Sequence, residues 1–292
     1  MEASFPRIYA AESSGFLAGT THVIPVSLPS LSNLACSRTN GYPAPMSVGT
    51  PGDAKVPPDL MQQLIEGGEE SLARLWQWRV ELHGRDTYAG VRMSKFPEDL
   101  RTYEKILWER APHVVVEIGV KFGGSTLWLR DRLFDFQRYR TGPAPLVIAV
   151  DIDLTHARKC FDELPPEGTA GIELLEGDVT DDAVIAAIRE MIPGGAEILV
   201  IEDAQHDAKT TLAALNGLAP LVCAGGYYMV EDTCVDIERL RVNDAWPRGA
   251  GLALNEWLTT DPLGRRFRRR PDLQPYGLTC HPGGLIQRLA DL

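Results

Sequence analysis

The chain has 292 residues, of which 44% are hydrophobic and 24% charged, and a formal net charge of −11. That length allows one large α/β domain with appendages. The acidic balance argues against a nucleic-acid partner, whose phosphates need a positive footprint. No run of about 18 uncharged apolar residues is present to span a membrane. Five scattered cysteines without a CxxC pair argue against a disulfide framework or a zinc site.

Met1 to Ala10 offers no basic segment ahead of an apolar run, so no secretory signal and a cytoplasmic location are expected. Residues 1–57 are rich in Ser, Pro, Gly and Thr, with strand character only at His22 to Val26, and are predicted as an irregular arm. Residues 58–110 are predicted as a helical region. Asp59 can cap a first helix carrying Leu60, Leu64, Leu72, Leu75, Trp76 and Val80, with a break at Gly67-Gly68. A loop over residues 85–92 follows, and Lys95-Phe96-Pro97-Glu98-Asp99 opens a second helix running to Arg110.

Residues 111–260 then alternate strands and helices. The predicted strands are Val114 to Ile118, Leu146 to Asp151, Ile172 to Glu176, Ile198 to Ile201 and Tyr227 to Val230. Helices are expected over residues 125–136, 155–164, 181–191 and 206–218. Continuous apolar strands separated by helices indicate a Rossmann-like α/β fold whose mostly parallel sheet is covered on both faces. Residues 261–292 are expected to complete the sheet or form a lid, and the run Arg265 to Arg270 reads as a solvated cluster.

In such sheets ligands bind at the carboxyl ends of the strands. Here each strand end carries or closely precedes an acid: Glu117, Asp151, Asp178, Asp203 and Glu231-Asp232. A buried sheet has no structural need for such a row, so it reads as one site. The first turn, Glu117-Ile118-Gly119-Val120-Lys121-Phe122-Gly123-Gly124-Ser125, has glycines that allow positive φ and close approach of a ligand. Its spacing is not GxGxxG, and Glu117 would repel a pyrophosphate. S-adenosylmethionine (SAM), with a sulfonium and no phosphate, suits an acidic cleft. Asp151 is placed for ribose hydroxyls, with Asp153 able to share that role. Asp178 can face the adenine or, with Thr180, cap the next helix.

Asp203, Glu231 and Asp232 at adjacent strand ends would repel one another without a cation between them, and oxygen ligands favour magnesium. His206, three residues past Asp203 and expected in the first turn of its helix, suits a general base. The remaining histidines, His22, His83, His113, His156 and His281, show no comparable neighbourhood and are given no role.

Lys95 to Leu100, Glu117 to Ser125, Asp203 to His206 and Gly225 to Thr233 together resemble the cephalosporin-hydroxylase-like methyltransferases, which include rhamnosyl O-methyltransferases and the sugar methyltransferase of mycinamicin biosynthesis. The resemblance runs from about Trp76 to the C-terminus and leaves out residues 1–57. It implies a class I SAM-dependent methyltransferase fold with a seven-stranded sheet, magnesium on Asp203, Glu231 and Asp232, and His206 as base. It also implies SAM contacts from Glu117, Gly119, Gly123, Ser125, Asp151 and Asp178. Tyr88, Arg92 and Lys95 fall in a segment that relatives use near the active site and are candidates to face substrate. Where relatives read Asp-Ser-Asp-His, this chain has Asp203-Ala204-Gln205-His206, so a contact from the inner carboxylate is lost.

The expected activity is O-methylation of a hydroxyl on a small molecule, such as a sugar of a secondary metabolite, by a homo-oligomer. A SAM-binding protein that promotes another rearrangement or assists a partner enzyme is one alternative. A nicotinamide-dependent reductase is the other.

Overall fold

Residues before Gly68 carry the predicted arm and the Asp59 cap, and they lie outside the residues 68–290 that the computed structural model describes. Helix α1 (Gly68–His83) leads into a short ribbon, β1 (Thr87–Tyr88) antiparallel to β2 (Val91–Arg92), where a loop is predicted. Helix α2 (Pro97–Arg110) starts where Pro97 needs no amide partner and where Glu98 and Asp99 meet the positive helix end. Ala111 closes it in the left-handed region, its amide returning to the Leu107 carbonyl. Ile106 and Leu107 are at most 1% exposed, and such burial stabilises by about 1.5–3 kcal/mol per side chain.

The alternating units follow: β3 (Val114–Ile118), α3 (Gly124–Phe136), β4 (Leu146–Asp151), α4 (Thr155–Asp162), the single turn α5 (Pro166–Thr169), β5 (Ile172–Glu176), α6 (Asp182–Met191), β6 (Ile198–Glu202), α7 (Ala208–Leu218), β7 (Tyr227–Val230), α8 (Ala250–Thr260), β8 (Phe267–Arg269) and β9 (Leu285–Arg288). The sheet runs β5-β4-β3-β6-β7-β9-β8. The first five strands are parallel, while β9 pairs antiparallel with both β7 and β8. The predicted seven-stranded, mostly parallel sheet is therefore what the chain forms. No described helix is long and apolar enough to cross a membrane.

The arginine run departs from the expected solvated cluster by supplying the edge strand β8. There Phe267 is buried, and Arg270 donates to Tyr227 Oη at 3.1 Å and Gln287 Oε1 at 2.5 Å. Charged residues on an edge strand discourage pairing with another chain.

Strand alternation divides the core. Val114, Val116, Ile118, Val200, Tyr228 and Val230 pack with Ile185 and Ile188 of α6, Leu215 of α7 and Trp257 of α8. Val115, Leu199, Ile201 and Met229 pack on the other face with Tyr103, Ile106 and Leu107 of α2 and Trp128 of α3. The same parity sends Glu117 and Glu231 toward α2 and α3, and Glu202 toward α7. These carboxylates lie beneath the strand ends, which leaves Asp203 and Asp232 at the mouth.

Candidate active site

A cavity of about 810 Å³ opens at the carboxyl ends of β3, β4, β6 and β7. Gly119, Ser125, Asp151, Asp178, Asp203, His206 and Asp232 line it. Glu117 and Glu231 sit behind its wall, 0% and 2% exposed.

The glycine turn is shaped by packing as much as by any ligand. Gly119 has φ +94°, and a Cβ there would stand 2.0 Å from the Asp203 carbonyl oxygen. Gly123, at φ +91°, abuts the Phe161 ring, which a Cβ would meet at 2.5 Å. Asp151 fastens the turn, because its Oδ2 accepts from the Val120 and Lys121 amides at 2.8 Å each. Its Oδ1 accepts from the Asp153 amide at 3.1 Å, leaving about one of its four accepting positions for a ribose. Asp178 lines the cavity and also accepts from the Thr180 amide, while Asp181 takes the cap of α6.

Glu117 accepts from Thr126 Oγ1. Burial raises its pKa, with Lys95 opposing.

The acidic half is organised around Lys95. Its Nζ lies 2.5 Å from Asp203 Oδ2 and 2.5 Å from Glu231 Oε2. Burial disfavours the ammonium, yet Asp203, Glu231 and Glu117 outweigh it and hold the pKa well above the usual lysine value. Tyr103 donates to the other oxygen of Glu231. The cation expected between the strand-end acids is thus partly supplied by the chain itself. Burial and, after it, the charge of Glu231 still raise the Asp203 pKa against Lys95.

His206 is not in the first turn of its helix. It stands before α7 at φ +58°, and the cap is Asp207, whose Oδ1 accepts from the Thr210 amide at 2.8 Å. The Ala250 amide donates to the His206 carbonyl, which fixes the turn. His206 Nε2 lies 3.4 Å from Asp232 Oδ2 and 4.0 Å from Asp203 Oδ1. Burial disfavours its charged form, but Asp232, Asp203 and Glu202 prevail and raise its pKa. Its Nδ1 is buried with no hydrogen-bond partner among the described residues.

Asp203, His206 and Asp232 bring ligand atoms within 4.8 Å of one another, and so do Glu231, Asp232 and His281. Carboxylate oxygens of Asp203 and Asp232 this close together fit a hard divalent cation.

The three substrate-side candidates diverge. Tyr88 donates to Asp131 Oδ2 at 2.7 Å, on α3. Arg92 lines the cavity, with its guanidinium over the Phe122 ring and its Nε bonded to the Gly84 carbonyl. Lys95 is the counter-ion just described.

His281, given no role from sequence, is 1% exposed and lies 3.3 Å from Asp99 Oδ1. Burial opposes its charge, but Asp99 and Glu231 prevail and push its pKa up to about 9. His83 and His156 line the cavity. Two of the cysteines that are scattered in sequence, Cys234 and Cys280, converge beside Asp232. Local motifs do not report these long-range pairings, although Asp99 lies within the Lys95-to-Leu100 run.

The fold is that of the class I SAM-dependent methyltransferases. A CmcI structure with magnesium and SAM aligns at a TM-score of 0.52 and 23% identity, over 71% of this chain and 78% of that one. A family model, Rhamnosyl O-methyltransferase/CmcI, matches residues 82–289, and the chain belongs to that family. The rhamnosyl O-methyltransferase of Mycobacterium leprae is 31% identical over 161 residues, 54% of this chain and 65% of that protein. That of Mycobacterium tuberculosis is 28% identical over 166 residues, 55% and 62% respectively. The chain thus matches these curated relatives over less than two thirds of their length.

Proposed function

We propose that the chain is a SAM-dependent O-methyltransferase acting on a hydroxyl of a small molecule, a sugar of a secondary metabolite in the first instance, with magnesium assisting. The observation that carries this reading is His206 Nε2 beside Asp232 and Asp203 on the wall of an acidic cavity. Support also comes from the rhamnosyl O-methyltransferases among the relatives and the magnesium and SAM bound in the CmcI structure.

SAM, when bound, supplies an electrophilic methyl on a sulfonium, and Gly119, Ser125, Asp151 and Asp178 would line its place. Glu117 and Gly123 would act from behind that wall, as support for the turn. Magnesium, when bound, supplies charge that favours the deprotonated hydroxyl. Asp203 Oδ1 and Asp232 would hold it. Glu231, occupied by Lys95 and Tyr103, would contribute by keeping Asp203 in place.

His206 takes the acceptor proton at Nε2. A cation among Asp203 and Asp232 would offset the charges that raise the imidazole pKa, leaving more of the neutral base at physiological pH. The cavity walls bring acceptor and methyl donor together, which can account for much of the rate.

The test is formation of S-adenosylhomocysteine from SAM and a rhamnoside, with magnesium or with EDTA. Turnover that EDTA suppresses and magnesium restores is expected. Equal rates in both would remove the metal from the proposal.

A further inference from the structure

A buried cysteine alone behaves as a small apolar side chain. Cys234 and Cys280 differ, because they lie together and both line the cavity, at 3% and 6% exposure. Their sulfurs and a carboxylate oxygen of Asp232 all lie within 4.8 Å of one another. On a tetrahedral zinc with bonds to sulfur of about 2.3 Å, neighbouring ligands stand roughly 3.7 Å apart, a short movement from this arrangement.

The backbone holds the donors ready. The Cys234 amide donates to the Cys280 carbonyl at 3.1 Å, and the Cys280 amide donates to Asp99 Oδ2 at 3.0 Å. Asp232, at φ +50°, turns the chain into the short helical turn that carries Cys234.

We infer that Asp232, Cys234 and Cys280 form a binding site for a soft divalent cation, zinc or cadmium, with a fourth position open to the cavity. Thiolates select such ions over magnesium, which prefers oxygen. Binding releases the two thiol protons to solvent as the metal–sulfur bonds form. Asp232 also belongs to the donor set with Asp203 and His206, so a soft ion at the thiols competes for the carboxylate that a hard ion would use. Only this competition rests on the magnesium reading above; occupancy of the thiol site does not.

The experiment titrates cadmium into the freshly reduced full chain and follows the thiolate-to-cadmium charge-transfer absorption. Saturation at a single cadmium per chain is expected, displaced by zinc, while excess magnesium, sharing only Asp232, weakens the binding without abolishing the band. Cys234→Ser and Cys280→Ser should each abolish it, whereas Cys160→Ser and Cys223→Ser should not. Absence of the band, or its survival with Cys234 and Cys280 both replaced, overturns the site. Should a serine variant lose its cooperative melt, zinc X-ray absorption on the unaltered chain decides instead. Sulfur neighbours at about 2.3 Å support the site, and a shell of oxygen and nitrogen alone overturns it. Inhibition of methyl transfer by zinc, relieved in Cys280→Ser, then reports separately on the competition.

Discussion

Lys95 joins two acids that local sequence does not connect, 108 and 136 residues away. Removing one partner of a buried ion pair costs about 3–5 kcal/mol, because the other charges stay buried and unpaired. Lys95→Met should therefore lower the denaturation midpoint sharply, and adding Glu231→Gln should recover part of the loss. An unchanged midpoint in Lys95→Met would show that the ammonium is not the counter-ion described. His206→Ala should slow methyl transfer by roughly two to four orders of magnitude while SAM affinity, read by calorimetry, stays close to the original. Equal loss of both would point to a collapsed turn in place of a missing base.

What was legible at this scale was the acidic character of each strand end. Which acids reach the cavity depends on strand parity and on Lys95 folding back between β6 and β7. His281 has no role legible in sequence for the same reason, since its partner Asp99 lies far away on α2.

Among the elements, the turn after β3 is tightly constrained. Gly119→Ala places a Cβ against the Asp203 carbonyl in a backbone region alanine avoids, so β6 and the turn must separate. Destabilisation above about 1 kcal/mol and weakened SAM binding are expected, read by thermal melting and calorimetry. Asp207→Ala removes the cap of α7 and should cost about 0.5–2 kcal/mol while the methyl-transfer rate changes far less. A rate loss as large as that of His206→Ala would assign Asp207 a more direct role.

Strands β3, β4, β6 and β7 are readable because both faces are buried, which makes them plain apolar runs such as Val114-Val115-Val116. Helix α7 begins at Ala208, two residues after the start its sequence predicts. Nothing in the apolar spacing reports the left-handed residue at His206, whose geometry depends on Gly249 and Ala250 packing beside Asp207.

On the scale of the whole molecule, a ligand that binds the folded chain alone stabilises by mass action, about 2.7 kcal/mol at a hundredfold excess over its Kd. SAM should raise the melting temperature with the logarithm of its concentration above Kd, and a nicotinamide dinucleotide should not. The reverse pattern would favour a reductase on this fold.

The place of β9, inserted between β7 and β8, has a consequence for how the protein is made. A ribosome delivers the five parallel strands well before Leu285 to Arg288 exist. Until then β7, with Tyr227 to Val230 destined for full burial, has one unpaired edge. Newly synthesised chains therefore pass through a stage with an apolar strand edge open to misassembly, and a chaperone that recognises such edges has its opening there. The same late segment brings Cys280 and His281 to the cavity, so the site is completed only as that exposure ends.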